Sequence, residues 1–241
     1  MGDIDSELLA LHQTWVRSDG REGKRLVLRG ADLRYATLTN TTLAGADFTE
    51  ADLLGVQFGD SSLYRTVLRG ANLVGASITG PYVNQVDLTG ANLTGANLNK
   101  AELIGARLVG AVLRGAQCVK TDFSEADLTG VDLTRAFLVR TYLIDTALVG
   151  VDLTETDVRL DVGGKRIDVS RVRGMMGAIG CDTDMVTMID NGQERVIRVT
   201  ELVEVLNRRG AQVTTWHPGE RPALVPWRWG RYGHASTIVP E

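Results

Sequence analysis

The chain has 241 residues, 44% hydrophobic and 23% charged, a composition that predicts a folded protein of one or two domains. Its net charge of −4 gives direct nucleic-acid binding no support, and no apolar run reaches the length of a membrane-spanning helix. Two cysteines exclude a disulfide framework, and a reducing cytoplasm is the expected compartment.

Residues 1–24 form a first, non-repeating unit. Asp3, Asp5 and Glu7 stand where a signal peptide would be basic, so none is expected. From Asp5 to Val16 the pattern is amphipathic: Leu8, Leu9, Leu11, Trp15 and Val16 can form one apolar face, with Asp5 or Ser6 as N-cap. Ser18 to Gly23 reads as a turn.

A five-residue period follows, unbroken in phase. From Leu28 to Val158 every fifth residue is apolar, giving 27 centres of which 20 are Leu. Two residues before each centre stands a small side chain, often Ala, as at Ala31, Ala91 and Ala126. Asp or Asn directly precedes the centre in 12 units. This is neither the 3.6 spacing of a helix nor the alternation of a strand. It suits a chain that turns a corner in every unit, with centre and small residue inside. Gly accepts the positive φ of tight corners, and Asp or Asn can bond to nearby backbone donors.

These residues resemble the consensus A-(D/N)-L-x-x of the pentapeptide-repeat family over residues 26–158. The resemblance implies an all-β solenoid, a right-handed quadrilateral β-helix with four pentapeptides per coil. It would have about seven coils and, at ~4.8 Å per coil, a length of about 32 Å. Residues twenty apart then stack. One interior column reads Leu33, Leu53, Leu73, Leu93, Leu113, Leu133, Leu153; another places Cys118 between Leu98 and Leu138 as an inert buried thiol. An open solenoid end exposes strand edges and apolar side chains, so residues 1–24 are expected to be a helical cap on a β-helix spanning 25–160. Gly80-Pro81-Tyr82 places Pro at a small position, where a local bulge or slight kink is expected.

After Val158 the repeat fades. Residues 161–241 are expected to form a small α+β C-terminal region. Val186–Val199 reads as a hairpin turning at Asn191-Gly192, Thr200–Gly210 as a helix with Thr200 as N-cap, and Ala211–Trp216 as a further strand.

No catalytic, cofactor-binding or metal site is expected. His12, His217 and His234 are far apart, and no Cys/His cluster has metal-ligand spacing. Asp182 and Asp184 are the only compact acidic pair outside the repeat and read as a polar turn. Candidate partner-binding residues are therefore surface columns and the tail. Lys100, Lys120 and Arg140 stack as a basic ladder beside Glu102 and Asp122, and Tyr82 and Tyr142 share a column. The tail gathers Trp227, Arg228, Trp229, Arg231 and Tyr232, residue types enriched in binding hot spots, or alternatively packing against the coil end.

The leading reading is a non-catalytic interaction or scaffold protein that presents faces of a rigid rod to a protein partner. A homodimer contact through the C-terminal region is also expected. The alternative, implied by the resemblance, is a DNA mimic of the quinolone-resistance type that binds DNA gyrase or topoisomerase IV. Mimicry needs dense negative charge, since duplex DNA carries one charge per ~1.7 Å. Residues 28–158 hold 15 acidic and 10 basic side chains, far short of that density.

Overall fold

The computed structural model describes residues 4–80, 82–143, 146–147, 151–159, 166–168, 173–181, 185–190, 193–209 and 212–216. Its unit is a five-residue corner. The Ala91 N–H donates to the Leu88 carbonyl at 3.0 Å, closing a four-residue turn, and the third residue, Gly90, has φ of 66°. The same bond closes Leu33–Ala36 and Leu113–Ala116. Glycine suits the left-handed third position because it has no Cβ. Tyr35, Glu50, Lys100 and Lys120 adopt the same conformation at other corners.

Residues twenty apart pair in parallel, so four corners complete a coil. One ladder runs Asp32, Asp52, Asn72, Asn92, Val112, Asp132. From Leu28 to Ile78 and again from Leu88 to Leu128 each centre donates its N–H to the next coil, as Leu93 does to Val112 at 2.7 Å, and Asn92 donates back to Ala71 at 3.0 Å. Strand pairing is thus satisfied coil to coil rather than along an extended strand.

The centres form the core. From Leu33 to Leu143 every centre is buried, and Cys118 is fully so. Phe48 and Phe58 meet edge to face with centroids 6.5 Å apart. Five of the polar residues that stand in place of Ala at small positions, Ser61, Thr66, Thr121, Thr141 and Thr146, are buried. Each donates its hydroxyl to the carbonyl of a centre one coil back, Thr66 to Leu43 at 2.8 Å and Thr141 to Cys118 at 2.7 Å. A hydroxyl is tolerated inside because it is paired.

The Tyr82 unit interrupts the stack locally. The bridge ladder that joins Thr42 to Ser62 resumes only at Glu102. Glu102 donates to the Gly80 carbonyl, one residue off the offset by which Asp122 donates to Ala101. Pro81 itself lies outside the described residues.

Helix α1 (Ser6–Arg17) begins at Asp5, whose carboxylate accepts the Glu7 N–H at 2.8 Å. Ile4, Leu8 and Leu9 pack on the core. Leu11, predicted on the apolar face, is 38% exposed. The turn after the helix returns the chain so that Lys24 donates to the Leu11 carbonyl and Leu26 reaches the His12 ring, and His12 takes the inward position.

The parallel stack does not stop where the repeat fades. Strands β1 (Phe137–Val139), β3 (Asp152–Arg159), β5 (Arg173–Cys181) and β8 (Gln212–Trp216) form one sheet in that order. Strands β2 (Thr146–Ala147), β4 (Arg166–Asp168), β6 (Met185–Asp190) and β7 (Gln193–Arg198) form another. All neighbours are parallel except β6 and β7, which pair as the predicted hairpin with Asp190 opposite Gln193.

Helix α2 (Val199–Arg208) buries Val199, Leu202, Val205 and Leu206. Its N-cap is Arg198, without a side-chain bond, rather than Thr200, because β7 runs directly into the helix with no connecting loop. Asn191-Gly192, Asp182, Asp184 and the tail candidates from Arg221 onward lie outside the described residues.

Candidate interaction faces

Where the residue before a centre is Asp or Asn, its side chain braces its own corner. Asp47 accepts from the Thr49 N–H at 3.0 Å and its hydroxyl at 2.6 Å. Asn92 does the same for Thr94, and Asp132 for Thr134. The expected bonding of Asp and Asn to nearby backbone donors is therefore present, as an Asx contact two residues on.

Three of these carboxylates also meet arginines from the preceding coil at hydrogen-bond distance, and Asp52 lies 3.6 Å from Arg34. Arg29 lies 2.7 Å from Asp47, Arg69 2.7 Å from Asp87, and Arg114 2.5 Å from Asp132. Each Arg precedes Gly30, Gly70 or Gly115, and each Asp stands 18 residues further on, a spacing visible in the sequence but not singled out there. Burial pushes the Asp47 carboxyl up, but the Thr49 hydroxyl, the Arg29 guanidinium and the Thr49 N–H outweigh it and hold it at about 2. Asp87 and Asp132 are lowered by the same opposition of burial to Thr and Arg bonds. Asp32, exposed, is held at about 2 by the Arg34 side chain. Much of the acidity on these faces is thus locally compensated.

Lys100, Lys120 and Arg140 occupy one corner column, all exposed, at φ of 62°, 60° and 56°. Asn40 and Asp60 hold the same φ in earlier coils, so the column changes character along the rod. Tyr82 and Tyr142 are 57% and 46% exposed, but three coils separate them and they do not form one patch. Beside Tyr82 stand two residues missed in the sequence. Tyr64 is exposed, the Arg65 guanidinium lies 5.0 Å from its ring centroid, and Arg65 Nε donates to Gln85 at 2.9 Å. The Leu63 N–H donates to the Tyr82 carbonyl at 2.7 Å, which places the two tyrosines on adjacent coils. The stacking rule could have found them, since Tyr64 follows centre Leu63 while Tyr82 precedes centre Val83 twenty residues on.

The family profile of pentapeptide repeats matches in eight copies, over residues 27–63, 82–115, 91–130 and 121–159. The repeat region belongs to the pentapeptide-repeat family. Proteins of this family form right-handed quadrilateral β-helices, and the twenty-residue pairing here is that of four pentapeptides per coil. They are in general not enzymes. Among the described residues no group of His, Cys, Asp or Glu is arranged to hold a metal ion, and no helix is long and apolar enough to cross a membrane.

The chain is similar to HetL, a pentapeptide-repeat protein involved in heterocyst differentiation regulation in Nostoc sp. strain PCC 7120. The identity is 26%, over 75% of this chain and 76% of that one, with a TM-score of 0.40. It is also similar to full-length QnrB1, a plasmid-mediated fluoroquinolone resistance protein, at 15% identity over 79% and 92% of the two chains and a TM-score of 0.33. A pentapeptide-repeat protein of the Arabidopsis thaliana thylakoid lumen matches at 24% identity over 42% and 67%, with a TM-score of 0.23. No curated protein matches the chain significantly.

Proposed function

We propose that the protein is a non-catalytic interaction scaffold of the cytoplasm whose repeat faces dock a protein partner. The observation that carries this reading is the fixed geometry of exposed side chains around Tyr64, Arg65 and Tyr82. Backbone bonds between coils hold their positions, so little backbone order has to be gained on binding. Aromatic and arginine side chains on a rigid surface are the residue types that dominate binding energy. In this reading the rod has about seven coils, α1 is its N-terminal cap, and the tail with Trp227, Arg228, Trp229, Arg231 and Tyr232 supplies a second contact, to a partner or another copy.

The test is capture from a native-host lysate on the immobilised full chain and on a Tyr64→Ser/Tyr82→Ser variant. A partner retained by the first and lost by the second, with unchanged circular dichroism, supports the assignment. Equal capture removes this face from the function. Deleting residues 221–241 and measuring mass by light scattering tests the tail in the same way.

Gyrase mimicry is the second reading. The pairing of Asp47, Asp87 and Asp132 with arginines lowers the charge density that mimicry requires. A supercoiling assay decides it: inhibition of gyrase at stoichiometric protein supports mimicry, and unaltered supercoiling rejects it.

A further inference from the structure

Helix α1 is tied to the first coil through a side chain that titrates. The Leu26 N–H donates to Nδ1 of His12 at 3.1 Å. Nδ1 therefore presents a lone pair, and the neutral ring carries its proton on Nε2. The ring is fully buried, and Nε2 has no hydrogen-bond partner among the described residues. Trp15 stacks on it, centroids 5.6 Å apart and planes 15° from parallel.

The charged groups around this site offer an imidazolium no counter-ion. On α1 itself, Asp5 and Glu7 lie at the first turn and Arg17 at the last. The connecting segment carries Asp19, Arg21, Glu22, Lys24 and Arg25; the charge that acts on the ring is that of Arg25, a cation, whose Nε donates to the Gly45 carbonyl at 2.6 Å. On the first coils, Asp47 is engaged by Arg29. No carboxylate bonds to the ring among the described residues.

We infer that His12 is an acid-sensitive latch. Protonation of Nδ1 removes the acceptor of the Leu26 N–H and puts a second cation beside Arg25 in a buried site. This releases α1 and uncovers the apolar end formed by Leu26, Leu28 and Leu33. Burial is the main influence holding the docked imidazole below its ordinary 6.5; Arg25 acts with it, and the backbone of Leu43 and Ala44 acts against it. Docking is therefore full strength above pH 6.5 and weakens as pH falls below that value, because the released helix binds the proton more tightly. The inference rests on the docking of α1 and not on the identity of any partner.

Hydrogen exchange of the full chain at pH 7.5 and 5.5, with rates corrected for intrinsic exchange, tests the latch. One proton taken up on release accelerates exchange up to tenfold for each pH unit below 6.5. Amides of Leu9 to Trp15 and of Leu26 are expected to speed up by about that factor at pH 5.5, while those of Leu93 and Leu113 stay protected. His12→Asn places an amide oxygen near the Nδ1 position and does not titrate; its α1 protection is expected to be independent of pH. Unchanged wild-type protection overturns the latch, as does equal acceleration in His12→Asn or across the whole rod. A His12 pKa at or above 6.5, from NMR titration of the folded wild-type chain, overturns it whether or not the variant docks its helix.

Discussion

The Arg29 guanidinium reaches 2.7 Å from the Asp47 carboxylate, across the gap between one coil and the next, while Thr49 holds the other carboxylate oxygen. The pair joins corner bracing to coil stacking. Its folded carboxyl sits at about 2 against an ordinary 3.8. That depression gives stability that is complete above pH 3.8 and is lost as pH falls through about 2. Asp47→Asn is expected to lower stability by about 1–2 kcal/mol at pH 7 and to flatten the decline between pH 4 and 2. Urea melts across that range check both, and an acid decline as steep as that of the wild type contradicts the assignment.

The corner conformation makes a paired prediction. A Cβ on Gly90 would meet no atom within 4 Å, so Gly90→Ala isolates the backbone cost of φ at 66°. It is expected to destabilise by about 1 kcal/mol. Lys120→Gly, at φ of 60°, is expected to stabilise by a similar amount, about 1 kcal/mol. Thermal melts that move in the same direction for both variants would contradict the left-handed corner.

Leu93 is fully buried, whereas the neighbouring Thr94 is half-buried, with its hydroxyl donating to Asn92 at the surface. Leu93→Asp places an unpaired carboxylate in the core and is expected to cost roughly 3–5 kcal/mol or to prevent folding. Thr94→Asp is expected to cost less than about 1 kcal/mol. Comparable melting temperatures would refute the twenty-residue register.

Cys118 is fully buried between coils, and burial pushes its thiol well above the ordinary value. It is expected to resist a bulky maleimide until the rod unfolds. The readout is peptide mass mapping of labelled native and urea-unfolded protein, which separates Cys118 from Cys181. Stoichiometric labelling of Cys118 in the native chain would show that its coil is open.

What was legible in the sequence is what the five-residue period controls. The columns through Leu93 and Cys118 follow from it, as do the small positions and the bracing by Asp and Asn. Polar occupants of small positions break the pattern without breaking the coil, because Thr66 and Thr121 find a carbonyl one coil back. Continued stacking after Val158 was hidden because the offset changes. Phe137 pairs twenty residues on with Asp157, Thr146 twenty-one on with Ile167, and Asp157 nineteen on with Met176. A drifting offset destroys the period while preserving parallel pairing. The hairpin and α2 then separate Gly177 from its partner Val213. Arg198 rather than Thr200 is the cap because no loop intervenes, and the sequence around His12 does not show its partner because Leu26 is supplied by the returning chain.

The backbone bonds from Leu26 to Ala147 that join one coil to the next span about twenty residues each. Relative to 241 residues that is a separation of about 0.08, in the range of helical bundles and well below that of β-sandwiches. An all-β rod built this way need not close long loops before its first contacts form. Each completed coil offers an edge for the next twenty residues, so folding can proceed by addition, and a chain only partly formed already contains finished native structure.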